Sequence, residues 1–533
     1  MTQNRSTTGL FLLVLPVFVL LASLLSSPVF AQSNFAVSPT QCASLLKTVL
    51  PDTTILSAEL LAANTFKAPD EEAALTHPAF CRVVAMTQPQ VNFEVWLPER
   101  DWNGKFQGVG NGGMAGTISY GAMLSALDRG YATASTDTGH AAGDVAFDAS
   151  WALGRPDLVE DFGHRALHLT TVHGKSLTAQ LYGEPPQYAY YVGCSKGGQQ
   201  GLMEAQRYPD DYDGIIAGDP AHNWTRFYAG GHLWYSLALL ADAESYLPPT
   251  KLAALGAAVD KACDARDGIA DGILNNPLAC DFDPALLACP AGVDDTSCLT
   301  QKQVTAVNQI WSGVSNSAGE LIFPPLLRGG EAARGGWATW VTGREPFNSL
   351  HWLGGEGFFR YMVFEDPDWD FRSFDFDKDL QFALDKVGPM VDANDPDLSK
   401  LRDNGAKLLI YHGLSDPDIS PVSSINYFEE VLARMSPNQD RQTALTETND
   451  FLRLFLVPGM GHCSGGPGPD NFDALTALEN WVERGIAPEQ IVASKINNGV
   501  TTMTRPLCNY PMSAQWDGQG DTNSATSFSC VAP

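Results

Sequence analysis

The feature that most constrains the fold is a regular alternation of short apolar segments with longer segments of helical spacing. This alternation predicts βαβ units and therefore a mostly parallel sheet covered by helices, an α/β fold. The strand-like segments fall into two blocks along the chain, residues 91–98, 105–109, 131–137, 188–192 and 215–217 in the first, and residues 406–412 and 452–457 in the second.

The stretch between these blocks, residues 221–401, has a different character. It is rich in Trp, Phe, Gly, Pro and Asp, and its apolar periodicity is broken. We therefore predict one α/β core in two pieces, residues 32–220 and 402–533, interrupted by a large inserted lid domain at residues 221–401, which we call the insertion. A chain of 533 residues is long enough for a large core with such an insertion.

The N-terminal residues 1–31 have the pattern of a secretory signal peptide. Arg5 is the only charged residue before the apolar run at residues 10–25, and a V-x-A cleavage motif ends at Ala31. The alternative is a membrane anchor, but the run contains Pro16 and is shorter than the roughly 20 residues that a bilayer requires. We expect cleavage after Ala31 and a secreted or periplasmic protein.

The charge balance argues against several kinds of partner. The chain carries 33 Lys and Arg against 61 Asp and Glu, a formal net charge of −28. Nucleic acid and anionic membrane surfaces would repel such a protein at long range, so we expect neither as a partner. A small-molecule substrate remains, and the sequence carries no signal for an oligomeric state.

The predicted export indicates that the ten cysteines form disulfides. In an oxidising compartment cysteines pair, and all ten lie after the predicted cleavage site. Their even number predicts five disulfides, and the absence of any C-x-x-C pair argues against a zinc ribbon or a thioredoxin-type site.

A nucleophile motif follows the apolar strand at residues 188–192. The sequence Gly193-Cys194-Ser195-Lys196-Gly197 is G-x-S-x-G and leads into a predicted helix. A strand, a tight turn and a helix are the setting of a nucleophile elbow, in which the turn presents the serine hydroxyl at the edge of the sheet. A glycine-rich stretch can match this motif by chance, but the strand and helix around it favour Ser195 as a nucleophile.

A serine nucleophile needs a base, and the base needs an orienting carboxylate. Asp416 follows the strand at 406–412, and His462 follows the strand at 452–457. The order Ser195, Asp416, His462 is the order expected for an α/β-hydrolase. Asp418 is the alternative acid, but Asp416 lies closer to the end of its strand. The competing interpretations are a helix-capping Asp416 and an ordinary loop histidine at 462.

Two cysteines adjoin this predicted triad. Cys194 immediately precedes Ser195, and Cys463 immediately follows His462. If the serine and histidine are within hydrogen-bond reach, their neighbours approach the separation of roughly 4.4–6.8 Å between Cα atoms that a disulfide requires. We therefore predict a Cys194–Cys463 bridge between the two catalytic loops, against the alternative of two unrelated structural cysteines.

Acyl transfer also requires donors for the developing oxyanion. The backbone amide of Lys196, directly after the nucleophile, is one predicted donor. The other is expected from the glycine-rich loop at residues 110–113, either Gly112 or Gly113. The alternative for this loop is an ordinary turn.

An acidic loop lies in the insertion at residues 264–273. Asp264, Asp267 and Asp271 crowd into a short stretch with two Asp-Gly steps, and such close carboxylates repel one another. Calcium would relieve the repulsion, because it favours carboxylate and backbone oxygens. We predict side-chain ligands from the three aspartates and carbonyl ligands from Ile269 and Ile273. The alternative is a pair of Asp-Gly turns on an acidic surface.

Together these motifs resemble the tannase and feruloyl esterase family. The resemblance covers nearly the whole chain after the predicted leader. It rests on G-C-S-x-G-G at residues 193–198, H-G-x-S-D at 412–416, G-H-C at 461–463 and the acidic run at 264–273. The paired Cys-Ser and His-Cys are its most specific element.

The resemblance implies an α/β-hydrolase core with a large lid, structural calcium in the lid and an ester of an aromatic acid as substrate. It also implies the bridge between Cys194 and Cys463. For the other eight cysteines it implies four further disulfides, Cys42–Cys81, Cys263–Cys280, Cys289–Cys298 and Cys508–Cys530.

The choice of aromatic acid is open at this point. On the breadth of the family we prefer a serine esterase for feruloyl or other hydroxycinnamoyl esters. The alternatives are a tannase that cleaves galloyl esters, a mono(2-hydroxyethyl) terephthalate hydrolase, and a non-enzymatic protein that binds an aromatic ligand.

Candidate pocket residues come from the insertion. A terephthalate half-ester carries a free carboxylate, for which Arg360 or the side chain of Lys196 is a candidate partner. Aromatic side chains could clamp a planar ring, although such residues more often form the core of an inserted domain. Arg360 is equally a candidate for a structural ion pair. These aromatic candidates are Phe358, Phe359, Trp352 and Trp369.

Overall fold

The structure is a computed structural model that describes residues 36–69, 75–143 and 147–532. The predicted signal peptide, residues 1–31, lies outside the described residues. A search of the described residues for a helix with the length and hydrophobicity needed to cross a membrane finds none. Val37–Pro533 forms one compact unit.

The strands of the described residues belong to one large sheet and three small two-stranded sheets. In chain order they are β1 (Thr53–Leu61), β2 (Phe80–Thr87), β3 (Val91–Pro98), β4 (Lys105–Val109), β5 (Ala132–Thr136), β6 (Tyr188–Cys194), β7 (Gly214–Gly218), β8 (Val314–Ser315), β9 (Leu321–Phe323), β10 (Lys407–Gly413), β11 (Leu452–Val457), β12 (Gln490–Asn497), β13 (Val500–Cys508), β14 (Ser513–Trp516) and β15 (Phe528–Val531).

The large sheet has nine strands in the order β1-β2-β3-β5-β4-β6-β7-β10-β11. Its first three strands are antiparallel to their neighbours, and the six from β5 to β11 in this order are mutually parallel. The exchanged order of β4 and β5 and the largely parallel arrangement are those of an α/β-hydrolase sheet. The predicted fold class is therefore confirmed.

The parallel register brings the loops that carry the predicted site to one edge of the sheet. Val192 of β6 pairs with Val109 of β4 on one side and with Ile216 of β7 on the other. Gly413 of β10 pairs with Val457, the last residue of β11. Because parallel strands end at the same edge, the segments that follow β4, β6, β7, β10 and β11 meet there.

Helices cover both faces of the sheet. In chain order the helices of the described residues are α1 (Pro39–Ser44), α2 (Tyr120–Asp128), α3 (Pro156–Glu160), α4 (Ala166–Tyr182), α5 (Lys196–Arg207), α6 (Trp224–Phe227), α7 (Trp234–Leu240), α8 (Pro249–Cys263), α9 (Gln301–Ser312), α10 (Trp337–Trp340), α11 (Leu350–Gly357), α12 (Lys378–Lys386), α13 (Gly388–Val391), α14 (Ser399–Asp403), α15 (Pro421–Met435), α16 (Arg441–Asn449) and α17 (Ala474–Arg484).

Alternate residues of the strands point to opposite faces, and each face has its own apolar cluster. Tyr191 and Ile410 pack with α4, α5 and α15 on one face. Tyr190 and Leu409 pack with α17 on the other face. β5 and β7 are buried along their whole length, as expected for parallel strands covered on both sides.

The insertion lies between β7 and β10 in the chain and contributes no strand to the large sheet. Its regular elements within the described residues are helices and the β8–β9 hairpin. Large aromatic side chains form its buried core, among them Trp224, Trp337, Phe358 and Phe359. Its broken apolar periodicity therefore reflects short helices packed around aromatic residues.

The predicted strands of the two blocks agree closely with the structure. β3, β4 and β11 have the predicted bounds, and β6 continues two residues beyond the predicted end to include Cys194. Two regions were not predicted, the antiparallel strands β1 and β2 and the C-terminal strands β12 to β15. β1 is the edge strand of the sheet, and its exposed positions weaken the apolar signal on which the prediction depended.

All five disulfides implied by the resemblance are formed. They are Cys42–Cys81, Cys194–Cys463, Cys263–Cys280, Cys289–Cys298 and Cys508–Cys530. None of the cysteines in the described residues is free. Such a set of bridges is typical of a protein that folds in an oxidising compartment.

Candidate active site

Ser195 occupies a sharp turn between β6 and α5. Its backbone has φ 64° and ψ −120°, in a region that costs a non-glycine residue about 1–3 kcal/mol. The turn leaves no room for a side chain at position 193, since a Cβ atom on Gly193 would lie 2.5 Å from the carbonyl oxygen of Gly197. The Ser195 amide donates to the Gly218 carbonyl at 2.9 Å and fixes the turn to β7. This geometry is that of a nucleophile elbow.

His462 and Asp416 form a buried pair at the ends of β11 and β10. The Nδ1 atom of His462 lies 2.8 Å from Oδ2 of Asp416. The other oxygen, Oδ1, accepts the backbone amides of Asp418 at 2.7 Å and Ile419 at 3.0 Å. A carboxylate held in this way fixes the imidazole with Nε2 available for a proton. The geometry favours Asp416 over Asp418 as the partner of Nδ1.

The Cys194–Cys463 disulfide joins the elbow to the histidine loop. The two Cα atoms lie 6.0 Å apart, and the bridged residues adjoin Ser195 and His462. Cys463 has a φ of 60°, so the histidine loop, like the elbow, contains a non-glycine residue in the left-handed region. The covalent link holds these two unfavourable turns in fixed proximity.

Asp219, a residue outside the predicted motifs, connects the same loops by hydrogen bonds. It follows β7, is completely buried, and has a positive φ of 35°. Its Oδ1 accepts the Gly413 amide at 2.8 Å, and its Oδ2 accepts the Cys463 amide. Burial raises the pKa of Asp219 to about 6, although the charge of His412 opposes the shift. Asp219 therefore ties the ends of β7, β10 and β11 together.

The carboxylates around His462 favour its protonated form. Burial alone would lower the pKa of His462, but the charge and hydrogen bond of Asp416 and the charges of Asp418 and Asp219 raise it above the ordinary histidine value. Burial would likewise raise the pKa of Asp416, and the charge of His462 and the hydrogen bonds of His412 and His462 lower it instead. The surrounding carboxylates thus stabilise the imidazolium that forms when His462 takes up a proton.

The predicted oxyanion donors lie at the elbow and in the adjacent glycine-rich loop. In the part of the chain that the structure describes, no acceptor takes the amides of Gly112, Gly113 or Lys196. The loop packs directly on the elbow, because a Cβ atom on Gly110 would lie 2.6 Å from Cα of Gly197. Unpartnered amides beside a nucleophile are what a developing oxyanion requires.

The side chain of Lys196 does not reach toward a substrate. It is completely buried, and its Nζ donates to the Phe162 carbonyl at 2.8 Å and to Oε1 of Gln199 at 2.5 Å. The ammonium also lies 3.9 Å from the centre of the Phe162 ring. The geometry is therefore compatible with the Lys196 backbone amide as an oxyanion donor. It does not favour the Lys196 side chain as a partner for a substrate carboxylate, because that side chain is inside the protein.

Two half-buried aromatic rings flank the site. The Trp340 ring of the insertion meets the His462 ring edge to face, with centroids 4.8 Å apart. The Phe147 ring lies about 3.5 Å from the position that a Cβ of Gly113 would take. The centroids of Trp340 and Phe147 are 6.0 Å apart. Aromatic surface is therefore present beside both the base and the oxyanion loop.

The other aromatic candidates and Arg360 have structural partners. Phe358 and Phe359 are completely buried in the core of the insertion and pack on each other. Arg360 forms an ion pair with Glu356 and donates to the Trp369 carbonyl at 3.0 Å. Trp352 packs edge to face on Phe371. The structure favours the packing and ion-pair alternatives for this set.

The acidic loop is ordered by its own side chains. Oδ1 of Asp264 accepts the Gly272 amide at 3.1 Å, and Oδ1 of Asp267 accepts the Ile269 amide at 3.0 Å. Oδ2 of Asp271 lies 2.7 Å from the guanidinium of Arg505. Burial raises the pKa values of Asp267 and Asp271 above their ordinary range, although backbone hydrogen bonds to both carboxylates and the charge of Arg505 beside Asp271 oppose the shift.

Comparisons with known proteins identify the family. The sequence profile of the family described as tannase and feruloyl esterase matches residues 73–531. The chain belongs to the tannase and feruloyl esterase family. It is accordingly a carboxylic ester hydrolase, as the resemblance of its motifs implied.

Individual members of the tannase and feruloyl esterase family align over most of the chain. An uncharacterized esterase of Xanthomonas campestris is 40% identical over 92% of this chain and 91% of that protein. The mono(2-hydroxyethyl) terephthalate hydrolase of Piscinibacter sakaiensis is 35% identical over 83% and 82%. The crystal structure of feruloyl esterase B from Aspergillus oryzae superposes with a TM-score of 0.84 at 29% identity, covering 92% of this chain and 100% of that structure.

Sequence reasoning assigned no role to several polar residues around this esterase site. Asp219 follows β7, between the nucleophile strand and the acid strand, and this position was a signal that could have identified it. His412 is in the H-G-x-S-D motif, and its Nε2 lies 3.3 Å from Oδ2 of Asp416. His232 and His351 of the insertion contact Asp418, and no pattern in the sequence points to them.

Proposed function

We propose that this protein is a serine esterase that hydrolyses esters of aromatic acids, with feruloyl and other hydroxycinnamoyl esters preferred. The observation that carries the proposal is the convergence of Ser195 and the His462–Asp416 pair on loops joined by one disulfide. The roles assigned are nucleophile for Ser195, base for His462 and orienting acid for Asp416.

The proposed reaction has two acyl-transfer steps. Nε2 of His462 has no hydrogen-bond partner among the described residues, so it is available for the Ser195 hydroxyl proton. As the proton leaves, the serine oxygen attacks the ester carbonyl, and the amides of Lys196 and of Gly112 or Gly113 stabilise the oxyanion. His462 then returns the proton to the leaving alcohol, which leaves an acyl-enzyme on Ser195.

Deacylation repeats the sequence with water. His462 takes one proton from the water as its oxygen attacks the acyl carbon, and the resulting oxyanion occupies the same amides. The proton then returns to the Ser195 oxygen as its bond to the acyl carbon breaks. The products are the carboxylic acid, the alcohol released earlier and the regenerated serine.

The preference for an aromatic acyl group is supported by Trp340 and Phe147. Their rings lie beside the base and beside the oxyanion loop, where the atoms next to a reacting carbonyl would be held. Aromatic rings favour stacked or edge-to-face contacts with a planar acyl group. A terephthalate half-ester is the alternative suggested by the relative from Piscinibacter sakaiensis. The ion pair of Arg360 with Glu356 gives that alternative no added support.

Calcium in the acidic loop is part of the proposal. Asp267, Ile269, Asp271 and Ile273 line one small cavity of about 10 Å³. Nothing in the described residues donates a hydrogen bond to the carbonyls of Ile269 or Ile273, so both remain available as ligands. The neighbouring Cys263–Cys280 bridge closes the loop. These donors suit a hard cation, and Arg505 is a competing partner for Asp271. The proposed function of the ion is structural.

Export is also part of the proposal. The chain would be secreted or periplasmic after cleavage at Ala31, and the five disulfides support an oxidising destination. N-terminal sequencing of the protein recovered outside the cytoplasm would give Gln32 as the first residue. An intact Met1 on the exported protein would contradict cleavage.

The substrate proposal is tested by a panel of methyl ferulate, methyl gallate and mono(2-hydroxyethyl) terephthalate. We expect the highest kcat/KM for methyl ferulate. A higher value for one of the other two esters would replace the feruloyl preference with that alternative. Ser195→Ala, checked for an unchanged circular dichroism spectrum, should lose all three activities, and activity retained by this variant would remove Ser195 from the mechanism.

A further inference from the structure

A buried cluster joins the insertion to the turn that carries the catalytic acid. Oδ1 of Asp418 lies 3.0 Å from Nε2 of His232 and 3.2 Å from Nε2 of His351. His232 lies in the wide helical turn between α6 and α7, and His351 lies in α11. All three side chains are at most 3% exposed. Because a carboxylate only accepts, both imidazoles donate to Asp418.

The same aspartate faces the catalytic base. Its second oxygen, Oδ2, lies 3.5 Å from Nε2 of His462. The His462 ring therefore lies between two carboxylates, with Asp416 at Nδ1 and Asp418 near Nε2. The two acids belong to one turn, since the Asp418 amide donates to Oδ1 of Asp416 at 2.7 Å. The position of Asp418 relative to the base is thus set by backbone as well as by side chains.

Hydrogen bonds from the two insertion histidines offset the effect of burial on the pKa of Asp418. Burial alone would raise its pKa, but the hydrogen bonds from His232 and His351 and the charge of His462 lower it below the ordinary range. Asp418 is therefore ionised throughout the pH range in which an esterase works. The titratable groups that face His462 or its two partners are Asp416, Asp418, Asp219, His412, His232 and His351.

We propose that Asp418 is a second carboxylate acting on the catalytic base, and that the insertion holds it in place through His232 and His351. This inference rests on the proposed function and adds a positioning residue to it. The separation of 3.5 Å is too long for a strong hydrogen bond but short enough for a substantial charge interaction. Asp418 thus stabilises the imidazolium formed in each acyl-transfer step without taking its proton.

The proposal has a consequence for the pH dependence of the reaction. Only neutral His462 accepts the serine proton, so a carboxylate that favours the imidazolium moves the rise of kcat/KM to higher pH. An opposite charge within about 4–6 Å shifts a pKa by about 1–3 units. Removing the charge of Asp418 should therefore move the rise of kcat/KM to lower pH by about 1–3 units. The plateau should also fall, by about tenfold.

Asp418→Asn separates this role from a structural one. The asparagine oxygen can still accept from His232 and His351, so the link to the insertion is retained while the charge is lost. If Asp418 only anchored the insertion, the variant would change the melting temperature or KM and leave the pH profile in place. A shift of the profile is therefore the result that distinguishes the two roles.

The matched control is Asp211→Asn. Asp211 is also buried and also contacts a histidine, with Oδ2 2.6 Å from Nδ1 of His168. It precedes β7, at the edge of the sheet opposite to the one that carries Ser195. Loss of this charge should leave the pH profile unchanged. A shift equal to that of Asp418→Asn would show a non-specific effect and would overturn the proposal.

The experiment combines kinetics with a titration that needs no turnover. kcat/KM for methyl ferulate is measured from pH 5 to 10 for the wild type and both variants. Histidine NMR then follows the titration of His462 in Ser195→Ala with and without Asp418→Asn, with the signal assigned by its loss in His462→Gln. An active wild type with an unmoved profile and titration would overturn this inference alone. A wild type inactive on every ester would overturn the proposed function instead.

The contribution of the insertion is tested at His351. His351→Leu removes one donor to Asp418 and should shift the profile in the same direction as Asp418→Asn, by a smaller amount. His351→Gln supplies an amide donor and should restore much of the wild-type profile. Equal profiles for the leucine variant and the wild type would overturn the proposed link through the insertion.

Discussion

The loops at the edge of the sheet and the insertion contribute to the site in different ways. The sheet loops supply Ser195, Asp416 and His462, and two of their turns depend on unfavourable backbone at Ser195 and Cys463. The insertion supplies side chains that contact these residues, His232 and His351 on Asp418 and Trp340 on His462. We therefore expect the sheet loops to determine whether the reaction occurs, and the insertion to adjust its pH dependence and the fit of the acyl group.

The sheet loops and the insertion are also held in place by different interactions. The sheet loops are held by a disulfide and by Asp219, which accepts the amides of Gly413, the last residue of β10, and of Cys463, the residue after His462. The insertion meets the base through packing and hydrogen bonds between side chains. Changes in the sheet loops should therefore cost much more activity than changes in the insertion.

The largest difference is expected between two aspartates of one turn. Asp416→Asn removes the carboxylate that fixes the Nδ1 proton of His462, and kcat should fall about 10⁴-fold because the imidazole takes the wrong tautomer. Asp418→Asn should reduce the kcat/KM plateau by only about tenfold. Steady-state kinetics of both variants at their own pH optima make the comparison, and equal losses would contradict the separate roles.

The next largest difference is expected between the disulfide that joins the catalytic loops and a disulfide within the insertion. Replacing both Cys194 and Cys463 with serine removes the covalent link between the elbow and the histidine loop. We expect kcat to fall about 100-fold, because a displacement of a catalytic group by about 1 Å can reduce the rate by that factor. The control replaces Cys289 and Cys298, a bridge within the insertion. That double variant should keep kcat at 25 °C and lose only thermal stability, as measured by calorimetry. A kcat loss as large as that of the first pair would contradict the comparison.

Calcium removal should affect stability and spare the chemistry. A ligand at a hundred times its Kd adds about 2.7 kcal/mol to the free energy of unfolding. EDTA should therefore lower Tm by several degrees, and calcium but not magnesium should restore it, while kcat at 25 °C stays unchanged.

Asp267→Asn provides the check on the calcium prediction. The variant removes one proposed ligand charge and should show a smaller response to EDTA than the wild type. An unchanged Tm in EDTA, with no metal in elemental analysis, would favour the alternative of two Asp-Gly turns.

The smallest effect is expected at Arg360. Its partner Glu356 is one helical turn away, and such a partly exposed pair contributes about 0.3–0.5 kcal/mol. Arg360→Ala should therefore lower Tm slightly and leave KM for mono(2-hydroxyethyl) terephthalate unchanged. A tenfold increase in that KM, without a change for methyl ferulate, would show that Arg360 recognises the substrate carboxylate.

The parts of the fold and site that could be predicted are those with a clear pattern in the local sequence. β4 and β11 were predicted with their observed bounds because the apolar signal is strong where a sheet is buried on both faces. Asp416 was preferred over Asp418 from its position after the strand, and the geometry agrees. The Cys194–Cys463 bridge was predicted from the adjacency of these residues to Ser195 and His462. The pairing of the other eight cysteines came from the resemblance to a family, since their spacing alone leaves the pairing open.

The rest of the site depended on contacts between distant parts of the chain. His232, His351 and Asp418 lie far apart in sequence and meet only where the folded insertion packs on the turn after β10. Phe358, Phe359 and Arg360 looked like pocket residues because aromatic and cationic side chains suit an aromatic acid. Their partners are instead each other, Glu356 and Trp369, which a sequence pattern does not reveal.

The central claim is that Ser195 is an activated nucleophile, and labelling with a fluorophosphonate tests it most directly. An ordinary serine does not react, whereas one beside a base forms a covalent adduct. We expect one adduct per chain, located on Ser195 by mass spectrometry of the peptides, and no adduct after heat denaturation or in His462→Ala. An active protein with no adduct, or with the adduct on another serine, would contradict the account.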